Sequence, residues 1–249
     1  MSRPAPFFAA TLAQTGMELR LAARRGENVL VTIFIPAIVL LFFATTGVLP
    51  TPSGRPVDFL LPGSLALAVI ATSLVNLGIA TAYERQYGVL KRLGGSPLTV
   101  AGLIAAKIAA VLAVEVGQVV LLVAIATSML GWSPPPGTNA VMFMGTVLLG
   151  TLTFSGLGLL LAGALRAEAT LALANALFIG AVLIGGIILP VDHLPELLTV
   201  VAGLLPAAAL SDAFRGALGE SLDLARPLAI LVLWGVGSIA LTARTFRWD

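Results

Sequence analysis

The chain has 249 residues, 58% of them hydrophobic and 10% charged, with a net charge of +2 and a mean hydropathy of +1.04. A soluble domain carries roughly 45–50% apolar and about 25% charged residues. A chain this poor in charge cannot cover a soluble surface, which excludes a cytosolic enzyme, a disordered chain and a secreted disulfide domain, and leaves an integral membrane protein with several spans.

Residues 1–28 come first. Phe8, Leu12, Leu19, Ala22 and Ala23 fall on one helical stripe, with Arg20, Arg24 and Arg25 off it. That pattern predicts an amphipathic helix lying along a membrane interface, against lipid or a partner. No short apolar core with a cleavage site is visible there, so the first span is expected to direct insertion. Six apolar stretches follow. Residues 29–49, 59–82, 140–165, 169–190 and 227–243 carry no charge, and residues 98–130 carry only Lys107 and Glu115. About 20 residues cross a ~30 Å hydrocarbon core. The third stretch is longer than that, so its first turns are expected at the membrane edge. A seventh run, 197–210, is too short to span and is bracketed by Pro195 and Pro206. Residues 190–226 therefore read as a re-entrant helical hairpin between spans five and six.

The expected fold is all-α: a connecting helix in 1–28, then a six-span domain in 29–249. Six spans put both termini on one side. Segments 1–28, 83–97, 166–168 and 244–249 hold ten of the fourteen basic residues, against Arg55, Arg215 and Arg226 opposite. The positive-inside rule places those segments and both termini in the cytoplasm of a plasma-membrane protein. The opposite loops carry six acids, Asp58, Asp192, Glu196, Asp212, Glu220 and Asp223.

Enzyme signatures are sparse. There is no phosphate-binding G-x-x-x-x-G-K-[ST] and no H-E-x-x-H. Without cysteine there is no disulfide, thiolate nucleophile or Cys-ligated metal. The single histidine, His193, reads as a solvated loop residue, and no base stands near Ser155 to activate it. Glu115 is the one acid inside a span. It is either part of a polar substrate path or coupling device, or one end of an interhelical hydrogen bond. Gln118 lies three residues on and is the nearest candidate partner in sequence; Lys107 lies on roughly the same face. Asn76 and Asn175 read as interhelical glue. Ala172, Ala176 and Gly180, and Gly158 with Ala162, make small-x-x-x-small steps that let helices approach closely.

Residues 83–96 carry the most information. Tyr83, Tyr87, Leu90 and Leu93 interleave with Glu84, Arg85, Lys91 and Arg92, and the segment ends in Gly94-Gly95-Ser96-Pro97. The spacing predicts a short helix whose apolar face, Tyr87, Leu90 and Leu93, docks a cytoplasmic protein.

Glu84-Arg85-x-x-Gly88-x-Leu90-Lys91-Arg92-Leu93, followed by Ser96-Pro97, resembles the inner-loop signature of ABC-2 type permeases, the membrane subunits of ATP-binding-cassette exporters, including the daunorubicin-resistance type. Gln86 stands where the pattern has a second Glu, and Val89 where it has Thr. The amphipathic start, the six spans, the outer helical excursion, Pro190-x-x-x-Leu194-Pro195 and Leu205-Pro206 are similar as well. The resemblance implies a half-transporter that pairs with a second copy of itself or a related permease, and with two separate ATPase subunits. ATP and Mg would sit on those partners and no cofactor on this chain. It implies that 83–96 is the coupling helix, with Glu84, Arg85, Tyr87, Gly88, Leu90, Lys91, Arg92 and Leu93 contacting the ATPase. A homodimer is the default. The apolar spans suit efflux of an amphipathic or lipid-like drug, antibiotic or lipid. The competing reading is an ion- or proton-coupled secondary transporter with Glu115 on the path; no paired broken spans support it.

Overall fold

The computed structural model describes residues 6–24, 26–48 and 54–246. Arg3, Arg25 and Arg247 of the basic count, Leu49 at the end of the first apolar stretch, and the terminal Asp249 lie outside the described residues. Every regular element among them is helical.

Helix α1 (Phe7–Arg24) leads into α2 (Gly26–Thr46). Next comes one continuous rod, Pro56–Gln86, made of α3 (Pro56–Ile70), a π-helical turn (Ala71–Asn76) and α4 (Leu77–Gln86). A short α5 (Val89–Gly94) precedes α6 (Val100–Met129) and α7 (Ala140–Ala164). Then come α8 (Ala167–Ile184), the short α9 (Glu196–Ala202) and α10 (Pro206–Ala217), and finally α11 (Ala225–Thr245). Five of these are long and apolar enough to cross a membrane: the rod, α6, α7, α8 and α11. The α9–α10 pair, bent by 76°, makes a sixth if counted as one broken span. The first apolar stretch forms α2, whose apolar part, Leu30–Thr46, is shorter than those five.

The ends follow local chemistry. Thr99 caps α6 by accepting from Gly102 N at 3.1 Å, and Asn139 caps α7 by accepting from Met142 N at 3.0 Å. Pro56 and Pro206 open their helices where a missing N–H costs nothing.

Several boundaries differ from expectation. The second span does not stop at residue 82; it runs to Gln86, so Tyr83–Gln86 belong to the rod and not to a separate loop helix. The expected inner loop 166–168 shrinks, because Ala167 already starts α8. That helix ends at Ile184, short of residue 190, where Gly185 and the left-handed Gly186 (φ +63°) break it.

The core is built on α3 and α10. Twelve of fifteen α3 residues are buried, and the alanine-rich α10 packs against α3, α7 and α11. Phe214 of α10 meets Phe143 of α7 with ring centroids 5.5 Å apart. Helix α1 lies against α6, with polar residues and part of the expected stripe, Leu19 and Ala22, half-buried alike. Thr11, Gln14 and Glu18 face inward, while Phe8 and Leu12 of the expected stripe are 76% and 62% exposed. Phe246 and Ala10 pack on the Leu90–Leu98–Leu103 cluster, so the start of α1 and the end of α11 meet at one end of the bundle.

Candidate functional site

At that end the rod turns into α5 through Tyr87 and Gly88. Gly88 has φ +71°, and a Cβ there would meet nothing, so the glycine serves backbone conformation and not space. The expected docking face is split. Leu90 is 1% exposed, packed with Leu98 and Leu103, and Leu93 is half-buried beside it. Tyr87 is 72% exposed, and Val89, Lys91 and Arg92 are exposed with it. The inward face of α5 is thus covered by α6, α1 and Phe246, leaving the aromatic and basic residues outside.

Glu84 and Arg85 do not rim the segment; both are turned into the protein. Arg85 Nη1 donates to Gly163 O at 2.5 Å, and Nη2 donates to Leu165 O. These carbonyls belong to the C-terminal end of α7, which lacks intrahelical partners, so a guanidinium there satisfies them and suits the helix dipole. Gln86 Nε2 donates to Glu168 Oε1 on α8 at 3.0 Å.

Glu84 joins a cluster that sequence spacing did not show. Lys107 Nζ lies 2.7 Å from Glu84 Oε2 and 3.0 Å from Glu18 Oε1, with its own side chain 1% exposed. Lys107 ties α1, α4 and α6 together. A small cavity of about 70 Å³ adjoins it, with Thr72 and Asn76 among its walls.

About two turns further along α6, the π turn supplies polar groups to it. Glu115 is fully buried; Ser73 Oγ donates to its Oε1 at 2.5 Å, and Thr151 of α7 bonds its Oε2. Gln118 is not its partner. Gln118 pairs with Thr72 at 3.0 Å and donates to the Thr32 carbonyl of α2 at 3.2 Å. Asn175 is not interhelical glue: its Nδ2 donates to Leu171 O of its own helix at 2.8 Å. Asn76 and Asn175 instead line a cleft of about 320 Å³ between α2, the π turn, α4 and α8, with otherwise mostly apolar walls that include Val31, Ile35, Val75 and Phe178. Gly158 makes the close approach its spacing suggested, against the π turn, whereas Gly180 meets nothing within 4 Å, and Ala172 and Ala176 are exposed on the outside of α8.

The ABC-2 type transporter family matches residues 11–218, from α1 to the end of α10. The chain belongs to this family. A comparison with curated proteins gives no match. As an ABC-2 protein, the chain is a membrane component of an ABC transporter, a transport subunit and not itself the catalyst. Membership favours this class over an ion-coupled carrier, and implies partnership with an ABC ATPase and dimerisation. The ABC-2 match contains the polar cluster around Glu115, the Lys107 ion pairs and the exposed Tyr87–Arg92 segment alike.

Sequence reasoning singled out Glu115, Gln118 and Glu84 but missed Glu18, Thr72, Ser73 and Thr151. A signal for them was present. Thr72-Ser73 is a polar pair inside an uncharged span, which needs a partner in a membrane.

Proposed function

We propose that the chain is the permease of an ATP-binding-cassette exporter, moving an amphipathic or lipid-like molecule outward across the cell membrane. A separate ATPase subunit binds ATP with Mg and hydrolyses it. Two copies of this chain work with two ATPases. The basic excess around 1–28, 83–97 and the C-terminus supports a cytoplasmic position for that end of the bundle. On this reading α1 lies along the inner interface, with Phe8 and Leu12 toward lipid and Arg20 toward headgroups. Helices α9 and α10 form the outer re-entrant hairpin.

One observation carries the reading: the α4–α5 corner and α5 present Tyr87, Lys91 and Arg92 outward from a base fastened on the inner side. An exposed aromatic beside two cations suits an acidic-rimmed cleft on a partner. The base is rigid because Glu84 is held by Lys107, and Arg85 by the end of α7. A displacement imposed on α5 when the ATPases close on ATP therefore passes to α4, α6 and α7 together. The cleft of about 320 Å³ is the substrate path; its apolar walls hold the hydrophobic part of a cargo, and Asn76 and Asn175 its polar part.

The test uses the exposed residues. Glu84 and Leu90 are unsuitable, because both are buried and their replacement damages the fold. Tyr87→Asp combined with Lys91→Glu is expected to leave membrane insertion and thermal stability unchanged, while ATPase co-purification falls roughly tenfold or more. Normal co-purification together with normal ATP-driven export overturns the assignment of α5.

A further inference from the structure

The π turn in the middle of the rod is unexplained by span length or packing alone. A π turn holds one residue more than an α-helix needs over the same path and persists where outside contacts fix it. Here those contacts come from two neighbouring helices. Glu115 of α6 takes Ser73 with one carboxyl oxygen and Thr151 of α7 with the other. Gln118, one turn on, takes Thr72. Behind them, Gly158 of α7 is so close that a Cβ would lie 2.8 Å from the Ser73 and Leu74 carbonyl oxygens.

We propose that Glu115 is a positioning residue: its bridge from Ser73 to Thr151 locks the π turn and thereby sets the rotation of α4 and α5 relative to α3. Helix α3 is the fixed half, buried along most of its length. Helix α4 is the half that carries Glu84, Arg85 and Gln86. Relaxation of the turn to α geometry rotates one half against the other by one residue, about 100°. Ser73 has an alternative that favours relaxation. A serine in a regular helix can donate to the carbonyl one turn back, as Ser128 does to Ala124 O at 2.6 Å. Glu115 removes that alternative.

The bridge needs a group that can serve two hydroxyls, not a charge as such. Thr151 Oγ1 also lies 2.7 Å from Val147 O, and its single proton serves one acceptor. A glutamine at 115 can accept from Ser73 and donate to Thr151, whose own proton then goes to Val147. Glu115→Gln therefore keeps the lock, and Glu115→Leu removes it.

The readout is the α4–α8 contact at Gln86 and Glu168, exposed and bonded at 3.0 Å. The natural chain has no cysteine, so Gln86→Cys with Glu168→Cys gives a clean pair for oxidative cross-linking in native membranes. Cross-linking is expected to survive Glu115→Gln and to fall about tenfold in Glu115→Leu, the factor worth of one buried hydrogen bond. If Glu115→Leu does not reach the membrane, Ser73→Ala with Thr151→Val removes both donors at less cost in volume. Cross-linking at the parent level in a properly inserted Glu115→Leu or in the double variant overturns the proposal. This arm is independent of the exporter reading. A second arm rests on it: with the ATPase bound, Glu115→Leu is expected to hydrolyse ATP without export, and export at the parent rate overturns the coupling role.

Discussion

Lys107 balances two carboxylates at once, Glu18 on α1 and Glu84 on α4. Its removal leaves both acids beside a small cavity with no cation, whereas removal of either acid leaves one intact pair. Breaking a buried pair from one side costs ~3–5 kcal/mol. Lys107→Met is therefore expected to lower the thermal midpoint of the purified protein clearly more than Glu84→Gln or Glu18→Gln. Equal losses in all three would show that the pairing is not shared. In sequence, Lys107 and Glu84 are far apart and Glu18 further still, so no helical spacing rule links them. Only the scarcity of charge marked each one as needing a partner, and the partner itself was decided by packing. The same holds for Glu115. Its need for hydrogen bonds was legible, but the nearest polar side chain along the helix, Gln118, is directed toward Thr72, and the bonds come from two other helices.

At the scale of elements, helical runs were legible because apolar length alone demands them in a membrane. Their ends were not. The rod continues through Gln86 because Glu84 and Arg85 find partners inside the protein, which charge in a sequence read as a loop does not reveal. The π turn leaves no periodic trace either, since the half of the rod before it is almost uniformly apolar and only the last four residues after it are strongly polar. Residue 158 offers a test of this contact that leaves all polar groups in place. Gly158→Ala puts a methyl 2.8 Å from two backbone oxygens of the turn, which cannot swing aside like a side chain. Overpacking of this kind costs ~1–3 kcal/mol. Gly163→Ala, on the same helix with nothing within 4 Å, serves as the control and is expected to be neutral or slightly stabilising. Equal melting temperatures for the two variants would show that the crossing of α7 over the π turn is not tight.

At the scale of the whole molecule, the path between α8 and α11 decides how many times the chain crosses. Helix α10 packs back along α7: Leu210 lies against Gly150, deep in that helix, and Ala217 O accepts from Asn139 N at its start at 2.9 Å. The turn between α9 and α10 touches α11 instead. Arg226 donates to Gly203 O at 3.2 Å, and Trp234 donates to Leu204 O at 3.1 Å. Arg215, near the end of α10, lies over the Phe59 ring at 4.4 Å and donates to Gly186 O just beyond α8. These contacts put the end of α8 and the end of α10 toward the Arg55–Asp58 end of the bundle, opposite α5, which is the arrangement the proposed hairpin requires. A broken span would put Glu196 and Glu220 on opposite sides; a re-entrant hairpin puts them on one. Single cysteines at Glu196 and at Glu220, probed with a membrane-impermeant maleimide on intact cells, are both expected to react from outside. A cysteine at Lys91 is expected to react only after the membrane is opened. Labelling of positions 196 and 220 from opposite sides would overturn the hairpin and, with α2 also counted as a crossing, leave seven crossings, an odd number. That outcome contradicts the meeting of Ala10 and Phe246 around Leu90 at one end of the bundle.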